Sequence, residues 1–115
     1  MNLIDVQKFL KEKKFEKALD TLLNFEKSNY VDIRIFFYLG LVYFELNNFN
    51  KNILYYKKFL TKEPSSTNAL LNLAIVKQSI GSINSAKKIY LKLIKQNRLN
   101  IRAYYGLYLL DEKNF

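Results

Sequence analysis

The feature that most constrains this chain is a recurrence at 34 residues. The stretch Phe36-Phe37-Tyr38-Leu39-Gly40-Leu41-Val42-Tyr43 aligns with Leu70-Leu71-Asn72-Leu73-Ala74-Ile75-Val76-Lys77 at that offset. Carried forward, the same offset pairs Asn48-Phe49 with Ser82-Ile83, Tyr56 with Tyr90, and Phe59 with Leu93. Carried backward, it pairs Phe49 with Phe15, Asn52 with Ala18, Tyr56 with Leu22, and Phe59 with Phe25. Three copies of one unit result. A unit of this length cannot hide its own apolar face, so the copies are expected to stack and bury a continuous core.

Within each copy the apolar residues fall at helical spacing, as in Phe36, Leu39, Gly40 and Tyr43, or Ala86, Ile89, Tyr90 and Leu93. The breaks recur too. Lys13-Lys14, Asn47-Asn48 and Gly81-Ser82 divide each copy into two helices, and Glu63-Pro64-Ser65-Ser66 divides one copy from the next, Pro64 being unable to continue a helix. The spacing predicts helices over 2–12, 15–28, 32–46, 49–62, 67–80, 83–97 and 101–112. Asp32 and Thr67 are candidate N-caps or first-turn residues, since a short side-chain oxygen can accept from an orphan backbone N–H.

Composition excludes much of the remaining fold and function space. At 115 residues, half of them apolar, the chain is long enough for one packed domain. Three Gly and one Pro argue against a turn-rich sandwich or barrel. The absence of Cys removes disulfides, a thiol nucleophile and thiolate metal sites. The absence of His removes the commonest metal ligand and general base. Gly40, Gly81 and Gly106 stand alone and form no phosphate-cradling loop, the carboxylates do not pair on one helix face, and Ser65, Ser66 and Thr67 have no base beside them. The expectation is a non-catalytic segment with no cofactor and no metal.

The N-terminus carries Asp5 and lacks an uninterrupted apolar core, so it does not have the layout of a secretory signal. The longest apolar run, Ile35 to Phe44, would rise about 15 Å as a helix, half the hydrocarbon thickness of a bilayer. A buried helix and a cytoplasmic chain without a transmembrane segment are the expectation. The net charge of +9 favours anionic partners, although A/T-rich codons, which also enrich Asn, Ile, Tyr and Phe, are expected to account for most of the Lys excess.

These residues resemble the tetratricopeptide repeat, whose 34-residue signature runs large residue, Leu-Gly, Tyr, then Ala, aromatic, Ala and Pro. Residues 33–66 match it with Phe36, Leu39-Gly40, Tyr43, Tyr56 and Pro64, and depart at Asn52 and Phe59. Residues 67–100 match with Leu70, Leu73-Ala74, Gly81, Ala86 and Tyr90, with Lys77 in place of the Tyr and Arg98 in place of the Pro. The first copy has Asp5-Val6 for Leu-Gly but keeps Phe9, Phe15 and Ala18. A fourth begins at Ala103-Tyr104-Tyr105-Gly106-Leu107, in a register left open: Tyr104 fits the 34-residue offset, whereas Gly106 and Asp111 to Phe115 fit one two residues shorter. The resemblance implies an all-α, right-handed superhelix (α-solenoid) of about three and a half antiparallel hairpins. The whole chain, 1–115, would form one repeat domain with units at about 1–32, 33–66 and 67–100 and a partial unit at 101–115.

In this family the first helix of each hairpin lines a concave groove that docks peptides or proteins. Carried over by position, the resemblance assigns to it Arg34, Phe37, Tyr38, Leu41 and Glu45, then Asn68, Leu71, Asn72, Ile75 and Ser79, then Arg102, Tyr105 and Leu109. A mostly apolar strip edged by Arg34 and Arg102 suits an extended or helical segment with apolar anchors and some negative charge. The carboxylate-clamp subtype is excluded, because its five positions read Phe37, Leu41, Asn72, Arg102 and Gly106 and only two fit. The second helices carry a basic stripe, Lys51, Lys58 and Lys62, then Lys88, Lys92 and Lys95. It supports an alternative, an electrostatic module for nucleic acid or an anionic membrane surface, and of these nucleic acid is not expected because no base-stacking set accompanies the stripe.

Two further expectations concern the C-terminal end. Asp111-Glu112-Lys113-Asn114 aligns with Glu45-Leu46-Asn47-Asn48, just ahead of a second helix, and Phe115 follows. The last helix offers Tyr104, Tyr105, Leu107, Tyr108, Leu109 and Leu110, apolar around most of its circumference. The expectation is that this segment is the N-terminal docking part of a longer protein, an enzyme included, or that self-association or another chain covers its end.

Overall fold

The computed structural model describes residues 2–28 and 32–112, the side chain of Glu112 excepted. The described residues form seven helices and no strand: α1 (Leu3–Lys11), α2 (Phe15–Lys27), α3 (Arg34–Glu45), α4 (Phe49–Lys62), α5 (Thr67–Ser79), α6 (Ile83–Gln96) and α7 (Ile101–Glu112). Each lies within two residues of its sequence-based bounds. Two compact units emerge, residues 1–62 with α1 to α4 and residues 63–115 with α5 to α7. The expected C-terminal positions Lys113, Asn114 and Phe115 lie outside the described residues.

Local chemistry sets the helix starts. Asn2 and Asp5 form a capping box on α1: Asn2 Oδ1 accepts from the Ile4 and Asp5 N–H groups at 2.9 and 3.2 Å, and Asp5 Oδ2 accepts from the Asn2 N–H at 2.9 Å. Ser66 caps α5 by accepting from the Ala69 N–H, which leaves Thr67 as the first helical residue. Asp32 stands two residues ahead of α3, and its Oδ1 accepts from the Arg34 N–H at 3.0 Å while Ile33 fills the cap position without a side-chain bond.

One turn closes every hairpin, and it recurs at the sequence period. Lys13, Asn47 and Gly81, spaced 34 apart, all have positive φ, at 59°, 60° and 84°. In each case the next residue donates its N–H five residues back, Lys14 to Phe9, Asn48 to Tyr43 and Ser82 to Lys77, all at 2.8 Å. This is the Schellman ending, in which a left-handed residue satisfies the last helical carbonyls and reverses the chain.

The core of the first unit joins Leu3, Val6, Ala18, Leu22, Ile35, Leu39, Val42 and Tyr55. Asn52, at the position where its 34-residue equivalents are the buried Ala18 and Ala86, is itself fully buried and donates from Nδ2 to the Gly40 carbonyl at 2.6 Å. At the edge of this core, Tyr55 stacks on the partly buried Tyr43 with ring centroids 5.7 Å apart and donates its hydroxyl to Glu26 Oε1 at 3.0 Å. In the second unit α6 packs against both α5 and α7. Leu73, Ala74, Val76, Ala86, Tyr90, Leu93, Ala103 and Leu110 are buried there, and the Tyr90 hydroxyl donates to Gln78 Oε1 at 2.9 Å.

The start of α7 follows that of α5 by 34 residues. Asn100 Oδ1 accepts from the Ala103 N–H as Ser66 Oγ does from Ala69, and Ala103 and Leu110 are buried like Ala69 and Val76. Gly106 therefore stands at the position of Asn72 and not at that of Ala74. Leu110, expected on the open side of the last helix, is turned inward by this register.

Candidate functional site: two helix faces

In the first unit the groove positions of α3 are largely occupied by the unit's own contacts. Phe37 is half-buried, its ring 5.8 Å from that of Tyr56 and 5.4 Å from that of Phe59. Tyr38 is tied to α1, since its hydroxyl accepts from Gln7 Nε2 at 2.7 Å. The Arg34 guanidinium is held by Asp32, Nη2 to Oδ2 at 2.6 Å and Nε to Oδ1 at 3.0 Å, and this hydrogen bond keeps the Asp32 carboxyl below the usual carboxylate range. Leu41 and Glu45 line a shallow depression of about 440 Å³ with Leu10, Lys11, Lys13 and Phe15.

The second unit offers another site. A cavity of about 570 Å³ opens between α5 and α7, lined from α5 by Leu71, Asn72, Ile75, Gln78 and Ser79, and from α7 by Ile101, Arg102, Tyr105, Gly106 and Leu109. Tyr90 of α6 closes the floor. The floor exists because Gly106 has no side chain, so the Tyr90 ring reaches its backbone. Burial pushes the Tyr90 phenol up, which keeps it neutral and donating to Gln78. Tyr105 is 61% exposed beside this cavity, whereas Leu71 is only 6% exposed and contributes wall, not a protruding anchor. Among the described residues, Arg102 is the only charged one lining it. Asn68, on the first turn of α5, is exposed but does not line the cavity.

Sequence reasoning placed Leu71, Asn72, Ile75, Ser79, Arg102, Tyr105 and Leu109 on this face, and the structure brings all seven to one cavity. It missed Gln78, Ile101, Gly106 and Tyr90, and in the first unit Gln7 and Lys11. The last two were within reach, because they are Leu41 and Glu45 shifted back by 34 residues. All six lysines of the basic stripe are exposed. Lys58 is engaged locally, its Nζ lying 5.0 Å from the Tyr55 ring centroid and 5.7 Å from that of Phe36. Lys92 Nζ donates to the Pro64 carbonyl at 3.4 Å. Among the described residues no helix is long and apolar enough to cross a membrane, and no group of three or more His, Cys, Asp or Glu could hold a metal ion.

Residues 35–66 match the family model of the tetratricopeptide repeat. Among curated proteins no significant sequence match was found. Several solved structures are similar in fold. The first tetratricopeptide domain of Spaghetti (RPAP3), bound to the HSP90 peptide SRMEEVD, aligns with a TM-score of 0.84 at 17% identity over 95% of this chain and 86% of that one. The second such domain of human RPAP3, in complex with the HSP70 peptide SGPTIEEVD, gives 0.81 at 15% identity over 93% and 89%. A tetratricopeptide repeat protein from Parabacteroides merdae gives 0.83 at 20% identity, over 92% of this chain but 41% of that one.

Proposed function

Since the chain is a tetratricopeptide-repeat protein with the all-α, helical-hairpin fold of that family, we propose that it is a non-catalytic docking module that binds a peptide segment of a partner protein in the α5–α7 cavity. The observation that carries this reading is Tyr105, 61% exposed at the rim of a cavity whose floor is the Gly106–Tyr90 contact. Large aromatic side chains left exposed around a preformed apolar cavity are what a bound segment with apolar anchors would cover. Arg102, alone in charge there, selects for a carboxylate next to the anchor.

The structural relatives carrying chaperone peptides support peptide docking as the class of activity. They do not bring their ligand with them, because the clamp positions of this chain read Phe37, Leu41, Asn72, Arg102 and Gly106. Phe37 and Tyr38, committed to Tyr56, Phe59 and Gln7, serve as scaffold in this reading, and Leu41 has a secondary role.

Selection of binders from a displayed random-peptide library tests it. The enriched sequences should pair an apolar residue with Asp or Glu, and Tyr105→Ala should weaken them about tenfold or more while leaving the helical circular-dichroism spectrum intact. Binders indifferent to both Tyr105→Ala and Ile75→Asn would remove the cavity from consideration.

A further inference from the structure

The most exposed apolar side chain of the described residues, Leu99, does not line the cavity, and the next, Ile101, stands at its edge. Leu99 and Ile101 are 83% and 80% exposed, Leu99 in the α6–α7 turn and Ile101 as the first residue of α7. The turn is rigidly built. The Asn97 N–H donates to the Leu93 carbonyl at 2.9 Å, Asn97 Oδ1 accepts from the Leu99 N–H at 3.0 Å, the Asn100 N–H donates to the Asn97 carbonyl at 3.1 Å, and Asn100 Oδ1 caps α7 through Ala103 at 3.1 Å. Four hydrogen bonds thus hold a backbone whose two aliphatic side chains point at solvent, where exposure of large apolar groups needs a reason.

Charge surrounds them on one side of the ledger only. Lys95, Arg98 and Arg102 flank the turn and all are exposed. Residues 64–110 hold seven Lys and Arg and no Asp or Glu. Codon bias enriches Lys but does not empty so long a stretch of carboxylates. The acids bounding that stretch are Glu63, ahead of α5, and Asp111, near the end of α7, of which Asp111 is the nearer to the turn in sequence.

We propose that the α6–α7 turn docks this protein on an anionic lipid surface, Leu99 and Ile101 entering the headgroup–acyl boundary while Lys95, Arg98 and Arg102 meet lipid phosphates and carboxylates. A shallow aliphatic tip with a cationic collar uses both forces that hold peripheral proteins on membranes, apolar burial and attraction to acidic headgroups. Nucleic acid is the poorer fit, because the side chains at the tip are aliphatic and offer no face for a base to stack on. Leu99 and Arg98 lie outside the α5–α7 cavity, whereas Ile101 and Arg102 also line it, so substitutions at Leu99 and Arg98 separate this surface from peptide docking.

Co-sedimentation of the 115-residue chain with phosphatidylcholine vesicles, with and without phosphatidylserine, tests the proposal. Binding is expected only with phosphatidylserine. Leu99→Ser should lower the partition coefficient about tenfold, the value of burying a leucine side chain, and Arg98→Gln about fivefold. Ile101→Ser repeats the vesicle test if Leu99→Ser alters the helical spectrum, and Leu99→Ser and Arg98→Gln, which lie outside the cavity lining, should keep the peptide binding of the parent chain. The proposal is overturned by failure to bind phosphatidylserine vesicles, by equal binding to neutral ones, or by Leu99→Ser and Ile101→Ser that bind like the parent. It is also overturned if a single-stranded oligonucleotide displaces the chain from vesicles and binds Leu99→Ser undiminished.

Discussion

The ring of Tyr90 lies so close to the backbone of Gly106 that a methyl group at position 106 would overlap its Cζ and Cε atoms. The ring cannot easily withdraw, because it is 2% exposed and its hydroxyl is bound to Gln78.

Gly106→Ala therefore sets two effects against each other. Helix propensity favours Ala by about 1 kcal/mol, whereas forcing a methyl into a packed site costs about 1–3 kcal/mol. The overlap wins because it is with a buried ring and not with a mobile chain end. Urea unfolding should show a net loss of stability, and peptide binding should fall as the cavity floor is displaced.

The three hairpin turns make opposite predictions at equivalent positions. Lys13 holds φ 59° with a full side chain, a conformation that costs a non-glycine residue about 1–2 kcal/mol. Lys13→Gly should stabilise the chain by about 1 kcal/mol, since part of that gain is returned as unfolded-state entropy. Gly81→Ala should lose about 1 kcal/mol although nothing stands within 4 Å of the new methyl, because its φ of 84° is the obstacle. Thermal melts of the two variants should move in opposite directions.

Asn52 is fully buried, and its Oδ1 meets no hydrogen-bond donor among the described residues. Asn52→Ala removes one bond to Gly40 and one unsatisfied acceptor together, so denaturant midpoints should shift by less than about 1 kcal/mol equivalent. Asn52→Asp leaves a carboxylate facing the Gly40 carbonyl. That variant should lose about 3 kcal/mol or more at neutral pH and recover part of it in acid, where the carboxyl is protonated.

Alkaline pH should unfold the chain through its buried phenols. Burial raises Tyr43, Tyr55 and Tyr90 above the ordinary value of 10.0, and Glu26 beside Tyr55 and Tyr43 adds to the shift. A phenol that ionises later in the fold than in the unfolded chain lends stability in full below about pH 10, and that stability is lost as pH rises towards the folded values. Phenolate absorbance should show these tyrosines titrating only as helicity collapses. Tyr55→Phe, which removes the bond to Glu26, should lower stability by about 1–3 kcal/mol at neutral pH.

Much of the fold was legible because it rests on short-range rules. Apolar spacing marked the seven helices, and Pro64 and the paired polar residues marked their ends. The turn that closes each hairpin was visible as chemistry at Gly81 and at Asn47, the two residue types that most readily end a helix left-handed. Lys13 adopts the same geometry because packing of the two helices demands it, at a position whose residue type does not announce it. Phe37 read as a groove anchor for a similar reason, since nothing local to α3 says that Tyr56 and Phe59 occupy its ring.

The 34-residue period, the helical hairpin and its family follow from the sequence by itself, because periodicity and end signals act over a few residues. Which side chains remain available to a partner was decided by the tertiary structure. Leu71 and Tyr105 are equivalent by the period, yet one is 6% and the other 61% exposed. Burial is a property of the neighbours a residue acquires, and in the second unit those neighbours are set by how closely Gly106 lets Tyr90 approach α7.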